Sequence, residues 1–354
     1  MNIILQLSIF LNPLLELLKS EKQREIFQQI IVGLILENKY FSVFKIQKGT
    51  EKKTYCQFRY QLDQVINWRK ILYKLARLVI KANSEEQLFL ITDGSPLKQE
   101  YSGHRITKNG LVDIFEMKNV PNNEIVSLAL TNRKLYMPLD FKIWNSKKVV
   151  AQEDYQKKTD QFFEMIKRYH FLGLPFRKIA FDGFFASKTI LKWLNKNGYT
   201  WTTRLGCNRG VIINDKKVSL KDLGLKNGQS IVCELNGVKG LVKILRFSYK
   251  DEIVYAATNQ YSISDEELKS GYQDRWEIEV FHREAKQRLG LEYIFVQSWQ
   301  KLTNHVGFVC LAYALLSILR QMSGGSISLA KYKIQNEIFS LHDANDRLIQ
   351  KLNS

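Results

Sequence analysis

The stretch GYQDRWEIEVFHREAKQRLGLE, residues 271 to 292, carries a phenol, two cations and a carboxylate at spacings that bear on chemistry. On one helix turning about 100° per residue, Tyr272, Arg275, Glu279 and Lys286 fall at about 0°, −60°, −20° and −40°, a single face. Ile278, Phe281, Ala285 and Leu289 form a separate apolar stripe of the kind a helix buries against a sheet. Glu277 points about 140° away from Tyr272 by the same arithmetic. Such a face suits a phosphodiester, with Glu279 as a metal ligand and the other groups on phosphate oxygens. Ordinary surface ion pairs, with Arg275 and Glu279 at i, i+4, would use the same residues.

The elements that must position this face are legible in outline. Ser264 and Glu267 form a capping box, Ile263 and Leu268 a hydrophobic staple, and Gly290 a C-terminal stop, so one helix is expected from Asp265 to Leu289 with Gly271 as its weak point. Further back, LFLIT runs into Asp93-Gly94 and KIAF into Asp182-Gly183; each pair alone is an ordinary turn after a strand. IVSLALT and LYMPLDFKIW read as strands, and Asp140 falls inside the second rather than at its end, which ranks it below Asp93. Helices fit KKTDQFFEMIKRYHFLG and SKTILKWLNKNG, giving a mixed α/β pattern. Residues 200 to 260 are short β-type runs rich in lysine and arginine, for which a solvated strand face and DNA backbone contact are both open readings. Residues 1 to 82 show helical periodicity, interrupted near Lys39 and at KGTEKKT, and suggest a small helical domain.

Composition narrows the partner. The 354 residues carry a formal charge of +18, which favours polyanions, nucleic acid before acidic membranes. The four cysteines, Cys56, Cys207, Cys233 and Cys310, are dispersed and make neither a zinc site nor a disulfide framework, which fits a reducing cytoplasm. His170 and His305 beside apolar runs read as packed or capping residues. The apolar N-terminus lacks the basic start of a signal peptide. The apolar run from Val306 to Leu319 is shorter than the ~20 residues of a membrane span and reads as a core helix.

With Trp276 after the arginine, the pattern Y-x2-R-x3-E-x6-K resembles the C-terminal signature of DDE-type insertion-sequence transposases of the insertion-sequence-four superfamily. At about 5% usage per residue type, those four fixed positions arise by chance in roughly one chain in 500 of this length. The resemblance covers nearly the whole chain. It implies a fold that is α/β, a ribonuclease-H-like mixed sheet flanked by helices, with a β-rich insertion and a helical N-terminal domain. It divides the chain into a DNA-binding region over 1–82, a first catalytic part over 83–199, the insertion over 200–260, a second catalytic part over 261–325 and a helical tail over 326–354.

The same resemblance makes Asp93, Asp182 and Glu279 the catalytic carboxylates, the two aspartates at the carboxyl ends of sheet strands, together holding two Mg²⁺ (or Mn²⁺) ions. Tyr272, Arg275, Lys286, Trp276 and Arg283 would contact DNA; Trp276 would stack on an unpaired base or wedge between helix and sheet. Lys98 would approach the DNA or remain an ordinary loop lysine. The chain departs from its relatives in reading Asp-Gly-Ser where they often have Asp-Asp-Thr or Asp-Gly-Thr. The implied partners are double-stranded DNA, both transposon terminal inverted repeats and target, and further copies of the chain as a dimer or higher assembly on DNA, in the cytoplasm near the nucleoid and away from membranes. A ribonuclease-H-like metal-dependent nuclease and a non-catalytic domesticated DNA-binding protein are the alternatives.

Overall fold

The computed structural model describes residues 3–36, 60–82, 88–98, 104–113, 122–249, 251–294 and 296–337. The breaks expected near Lys39 and KGTEKKT, Cys56, the boundary at 83 and the end of the tail lie outside them. Helices α1 (Ile3–Leu15), α2 (Glu21–Leu36) and α3 (Trp68–Ala82) precede the strands β1 (Phe89–Leu97), β2 (His104–Thr107), β3 (Gly110–Asp113), β4 (Asn123–Thr131) and β5 (Tyr136–Trp144). Then come α4 (Lys158–Phe171), β6 (Lys178–Phe181), α5 (Lys188–Lys196) and β7 (Thr200–Leu205). Strands β8 (Gly210–Ile213), β9 (Lys216–Ser219), β10 (Ser230–Leu235), β11 (Val238–Tyr249) and β12 (Glu252–Thr258) follow, then helices α6 (Asp265–Gln273), α7 (Trp276–Arg288), α8 (Trp299–Ser323) and α9 (327–337).

Ten strands form one mixed sheet in the order β5-β4-β1-β6-β7-β12-β11-β10-β8-β9, while β2 and β3 make a separate hairpin. β1 is antiparallel to β4 and parallel to β6, and β6 is parallel to β7. The fold is therefore α/β, a large mixed sheet flanked by helices. Strands β4 and the first half of β1 are buried at almost every residue, as strands covered on both faces must be. α4 covers β4 and β5, whereas α7 and α8 lie against β1 and β5.

The β-type runs after residue 200 do not stand apart from this sheet. β7 is a central strand in parallel register with β6, Ala180 opposite Thr202, and β12, β11, β10, β8 and β9 extend the same sheet by antiparallel pairing. A boundary at 199/200 thus falls at the start of a core strand; short apolar runs cut by Gly and Asn look alike in either setting.

The N-terminal helices share the core of the sheet. The rings of Phe27, Trp68 and Phe308 meet with centroids 4.8 to 5.8 Å apart. The Trp68 indole N–H donates to buried Asn304 at 2.8 Å, and a β-carbon on Gly307 would lie 2.2 Å from the Trp68 ring. Only glycine lets that indole lie on α8. α8 is long and apolar enough to cross a membrane by length and composition, and 94% of its most apolar window is buried inside the protein, as expected of a core helix. His305 on α8 sits 3.1 Å from the Gly290 carbonyl, a capping contact at the end of α7.

Candidate active site

The parallel pairing of β1 with β6 ends at Thr92 opposite Phe181, so Asp93 and Asp182 are the next residues on neighbouring strands, roughly 4.8 Å apart in backbone. Asp182 follows the last residue of β6 and caps a short 3-10 turn, its carboxylate accepting the Phe184 N–H at 2.9 Å. The glycine after it is required by packing: a β-carbon on Gly183 would lie 2.5 Å from the Arg204 carbonyl oxygen of β7. Asp93, by contrast, is not at a strand end. It is the fifth of nine residues in β1, because β1 continues against β4 as far as Leu97 opposite Asn123. Its carboxylate accepts the Gly94 N–H at 2.7 Å.

The third acid arrives on a helix that is not continuous. The capping box of Ser264 and Glu267 is present, but the expected single helix divides into α6 and α7. Asp274 and Arg275 keep helical dihedrals, while the amides of Arg275 and Ile278 bond carbonyls three residues back, Tyr272 at 3.4 Å and Arg275 at 3.1 Å. The turn is tightened rather than broken at Gly271. Asp274, which the sequence did not single out, fixes it: the buried carboxylate takes Arg133 from the β4–β5 turn on one oxygen and Lys178 from β6 at 3.4 Å on the other. Arg133 also donates to Ser270 at 2.7 Å. An acid beside Arg275 in a region rich in charge was the available signal.

Arg275 is the centre of the site. One guanidinium nitrogen is 2.6 Å from Asp93 and another 2.6 Å from Glu279, and the side chain is almost wholly buried although Glu279 is half exposed. Burial would lower the affinity of Arg275 for its proton, but the Asp93 and Glu279 carboxylates outweigh it and raise it. Burial pushes the Asp93 carboxyl up to about 6; Arg275 and the Gly94 amide oppose the shift, while Asp182 and Glu279 add to it. Asp93 thus feels the charge of both other acids. The three carboxylates are hard oxygen donors of the kind Mg²⁺ and Mn²⁺ prefer, so the donor set fits such ions. Among the described residues no three His, Cys, Asp or Glu side chains are gathered as a ready cage; a guanidinium between two of the carboxylates accounts for that spacing.

The other expected contacts separate. Tyr272 is buried at 4% exposure against Leu245, Phe247, Val254 and Leu268, with the Arg275 guanidinium 5.6 Å from its ring centre. The wheel that put it on the charged face did not register that β11 and β12 cover this side of α6. Lys286 is held by the Pro96 carbonyl at 2.8 Å and by Glu292 at 3.0 Å, and Glu292 also accepts the Lys98 amide at 3.1 Å. Trp276 is half-buried against Tyr249, ring centres 4.7 Å apart, and Arg283 is exposed. Glu277 turns to Arg320 at 3.3 Å. Asp140 is buried between Arg69 and Arg168, at 3.5 and 2.6 Å.

The chain aligns with the catalytic domain of human endonuclease V at 10% identity, over 63% of this chain and 89% of that one, with a TM-score of 0.28. It aligns with Marinitoga piezophila Argonaute bound to guide RNA and target DNA at 11% identity, over 69% and 30% of the two chains, with a TM-score of 0.22. No curated protein matches. Residues 118–330 match the family model described as "Archaeal putative transposase ISC1217", a span that holds Asp182, Arg275 and Glu279 and begins after Asp93. The chain therefore belongs to this DDE-type transposase family.

Proposed function

We propose that the protein is a DNA transposase that cuts transposon ends and joins the freed 3′-hydroxyl to target DNA. The observation that carries the reading is the Arg275 guanidinium held between Asp93 and Glu279, with Asp182 directly after β6 on the strand beside Asp93, carboxylates from elements far apart in sequence, in a member of a transposase family. The strand order of the β1 half, with β1 parallel to β6 and antiparallel to β4, supports a ribonuclease-H-like core. The Y-x2-R-x3-E-x6-K pattern supports placement in the insertion-sequence-four superfamily.

Asp93, Asp182 and Glu279 would hold two divalent ions, Mg²⁺ or Mn²⁺, which when bound supply an activated attacking oxygen and stabilise the departing 3′-oxygen. Asp182 is pre-set for this by the Phe184 amide, and Asp93 by the Gly94 amide; both amides orient an oxygen without neutralising the carboxylate. Arg275 neutralises Asp93 and Glu279 and lies within reach of a phosphate at the same acids. Lys286 anchors α7 to the end of β1 and presents positive charge beside the site, with exposed Arg283 one helical turn before it. Tyr272 backs the Arg275 guanidinium with its ring, and Trp276 offers a partly exposed face to DNA. Copies of the chain would pair two ends as a dimer or larger assembly.

The test is incubation with end-containing duplex DNA, Mg²⁺ and a target plasmid. The transposase reading expects cut ends and joined products, both lost in Glu279→Gln while end binding persists. Cleavage without joining would favour a nuclease on the same core; binding without cleavage by the wild type would favour a non-catalytic DNA-binding protein.

A further inference from the structure

Helix α3 has two opposite faces. Trp68, Ile71, Leu72, Leu75, Ala76 and Val79 are buried, a run at i, i+3, i+4, i+7, i+8 and i+11 that seats the helix on β5. On the outer side Lys70, Lys74, Arg77 and Lys81 recur at i, i+4, i+7 and i+11, and all four are exposed. They line a groove of about 840 Å³ with Leu17, Ile80 and Pro175 among its apolar walls. The neighbouring acids are already engaged: Asp140 by Arg69 and Arg168, and Asp63 by Lys301 at 3.2 Å. Among the described residues, no ion pair involves any of the four.

We propose that this groove is a second DNA-contact surface, which takes the phosphodiester backbone of a duplex. The proposal rests on the transposase reading for the identity of the polyanion. At 1.5 Å per residue, the four cations span about 16 Å along a straight axis, the rise over which one strand of B-form DNA presents roughly five phosphates. Cations arrayed once per turn along one line match a polyanion of regular charge spacing. The apolar walls accept the methylene stems of the lysines and the sugar edges of the backbone. β5 lies two strands from β1, so a duplex held here extends the footprint beyond the scissile linkage and adds affinity without entering the chemistry.

The test measures binding of the full chain to a fluorescently labelled duplex of arbitrary sequence as a function of salt. The quadruple variant Lys70→Gln, Lys74→Gln, Arg77→Gln and Lys81→Gln is compared with a control that changes Lys147, Lys192, Lys196 and Lys269, four other exposed lysines, to Gln. Each lost phosphate contact removes about 0.9 from the slope of log affinity against log salt. The groove variant is expected to lose roughly 3 to 4 in slope and roughly tenfold or more in affinity at moderate salt, and the control close to none. Equal losses in both variants, no loss in the groove variant, or no duplex binding by the wild type would overturn the proposal. Failure of the transposase reading shows separately, as wild-type protein that binds the duplex and cuts no DNA with Mg²⁺. Because the four side chains are exposed, unchanged melting of the variant keeps any loss attributable to charge.

Discussion

Arg275 reaches Asp93 across 182 positions of sequence at 2.6 Å, and the same guanidinium holds Glu279 one helical turn further on. A buried cation of fixed, forked geometry thus sits where charge compensation is needed. Removing it leaves buried carboxylate charge unpaired, at a cost of about 1–3 kcal/mol. Arg275→Gln is expected to melt at lower temperature than the wild type in EDTA, and Mg²⁺ is expected to recover more of the variant's stability than of the wild type's. Equal Mg²⁺ responses in differential scanning fluorimetry would count against the guanidinium as counter-charge.

The Asp93 carboxyl, raised to about 6 from 3.8, links stability to pH. A folded-state value above the unfolded one means that the folded protein binds the extra proton between about pH 4 and 6. The stabilisation is complete below the unfolded value and disappears as pH rises through 6. At about 1.4 kcal/mol per unit, the change is at most roughly 3 kcal/mol. Asp93→Asn should remove this component, so the difference in melting temperature between pH 4.5 and 7 should be smaller in the variant, in metal-free buffer. Divalent ion uptake near pH 6 should release a proton, detectable as buffer-dependent heat in calorimetry.

Gly183 is a packing requirement at the site. A β-carbon 2.5 Å from the Arg204 carbonyl oxygen forces backbone movement directly after Asp182. Gly183→Ala should destabilise by about 1–3 kcal/mol and depress cleavage further than stability alone accounts for. Gly94→Ala, whose new carbon would stand 3.5 Å from Glu124, is the matched control and should fold nearly as the wild type does. Melting and single-turnover cleavage of the two variants check both statements.

Asp274 holds the tightened turn that aims Arg275. Its carboxylate is buried while Arg133 and Lys178 are about half exposed, so Asp274→Asn should cost about 2 kcal/mol, the scale of a charge-assisted hydrogen bond. Since its partners are Arg133 and Lys178 and not Asp93, Asp182 or Glu279, its effect should appear in cleavage rate with DNA affinity unchanged. Anisotropy binding and a cleavage time course separate the two.

What could be read from the sequence followed local rules. The capping box at Ser264, the stop at Gly290 with φ 68°, the burial of α8 and the strand runs ahead of Asp93 and Asp182 are set by neighbours within a few residues. What could not be read depends on distant partners. The turn at Asp274 exists because Arg133, 141 positions away, pairs with it. Tyr272 is buried because β11 and β12 fold over α6. Asp93 and Asp140 were distinguished by strand end against strand interior, yet both are interior. Their partners separate them: Asp140 is neutralised by two arginines, and Asp93 shares one arginine with another acid.

The most direct measurement is anomalous diffraction from crystals of the protein with transposon-end DNA and Mn²⁺. The account predicts two peaks about 3.5–4 Å apart, with oxygens of Asp93, Asp182 and Glu279 at about 2.1 Å from them and Arg275 released from at least one carboxylate. Mn²⁺ bound elsewhere, or three acids still apart with Arg275 between them when DNA is in place, would contradict it.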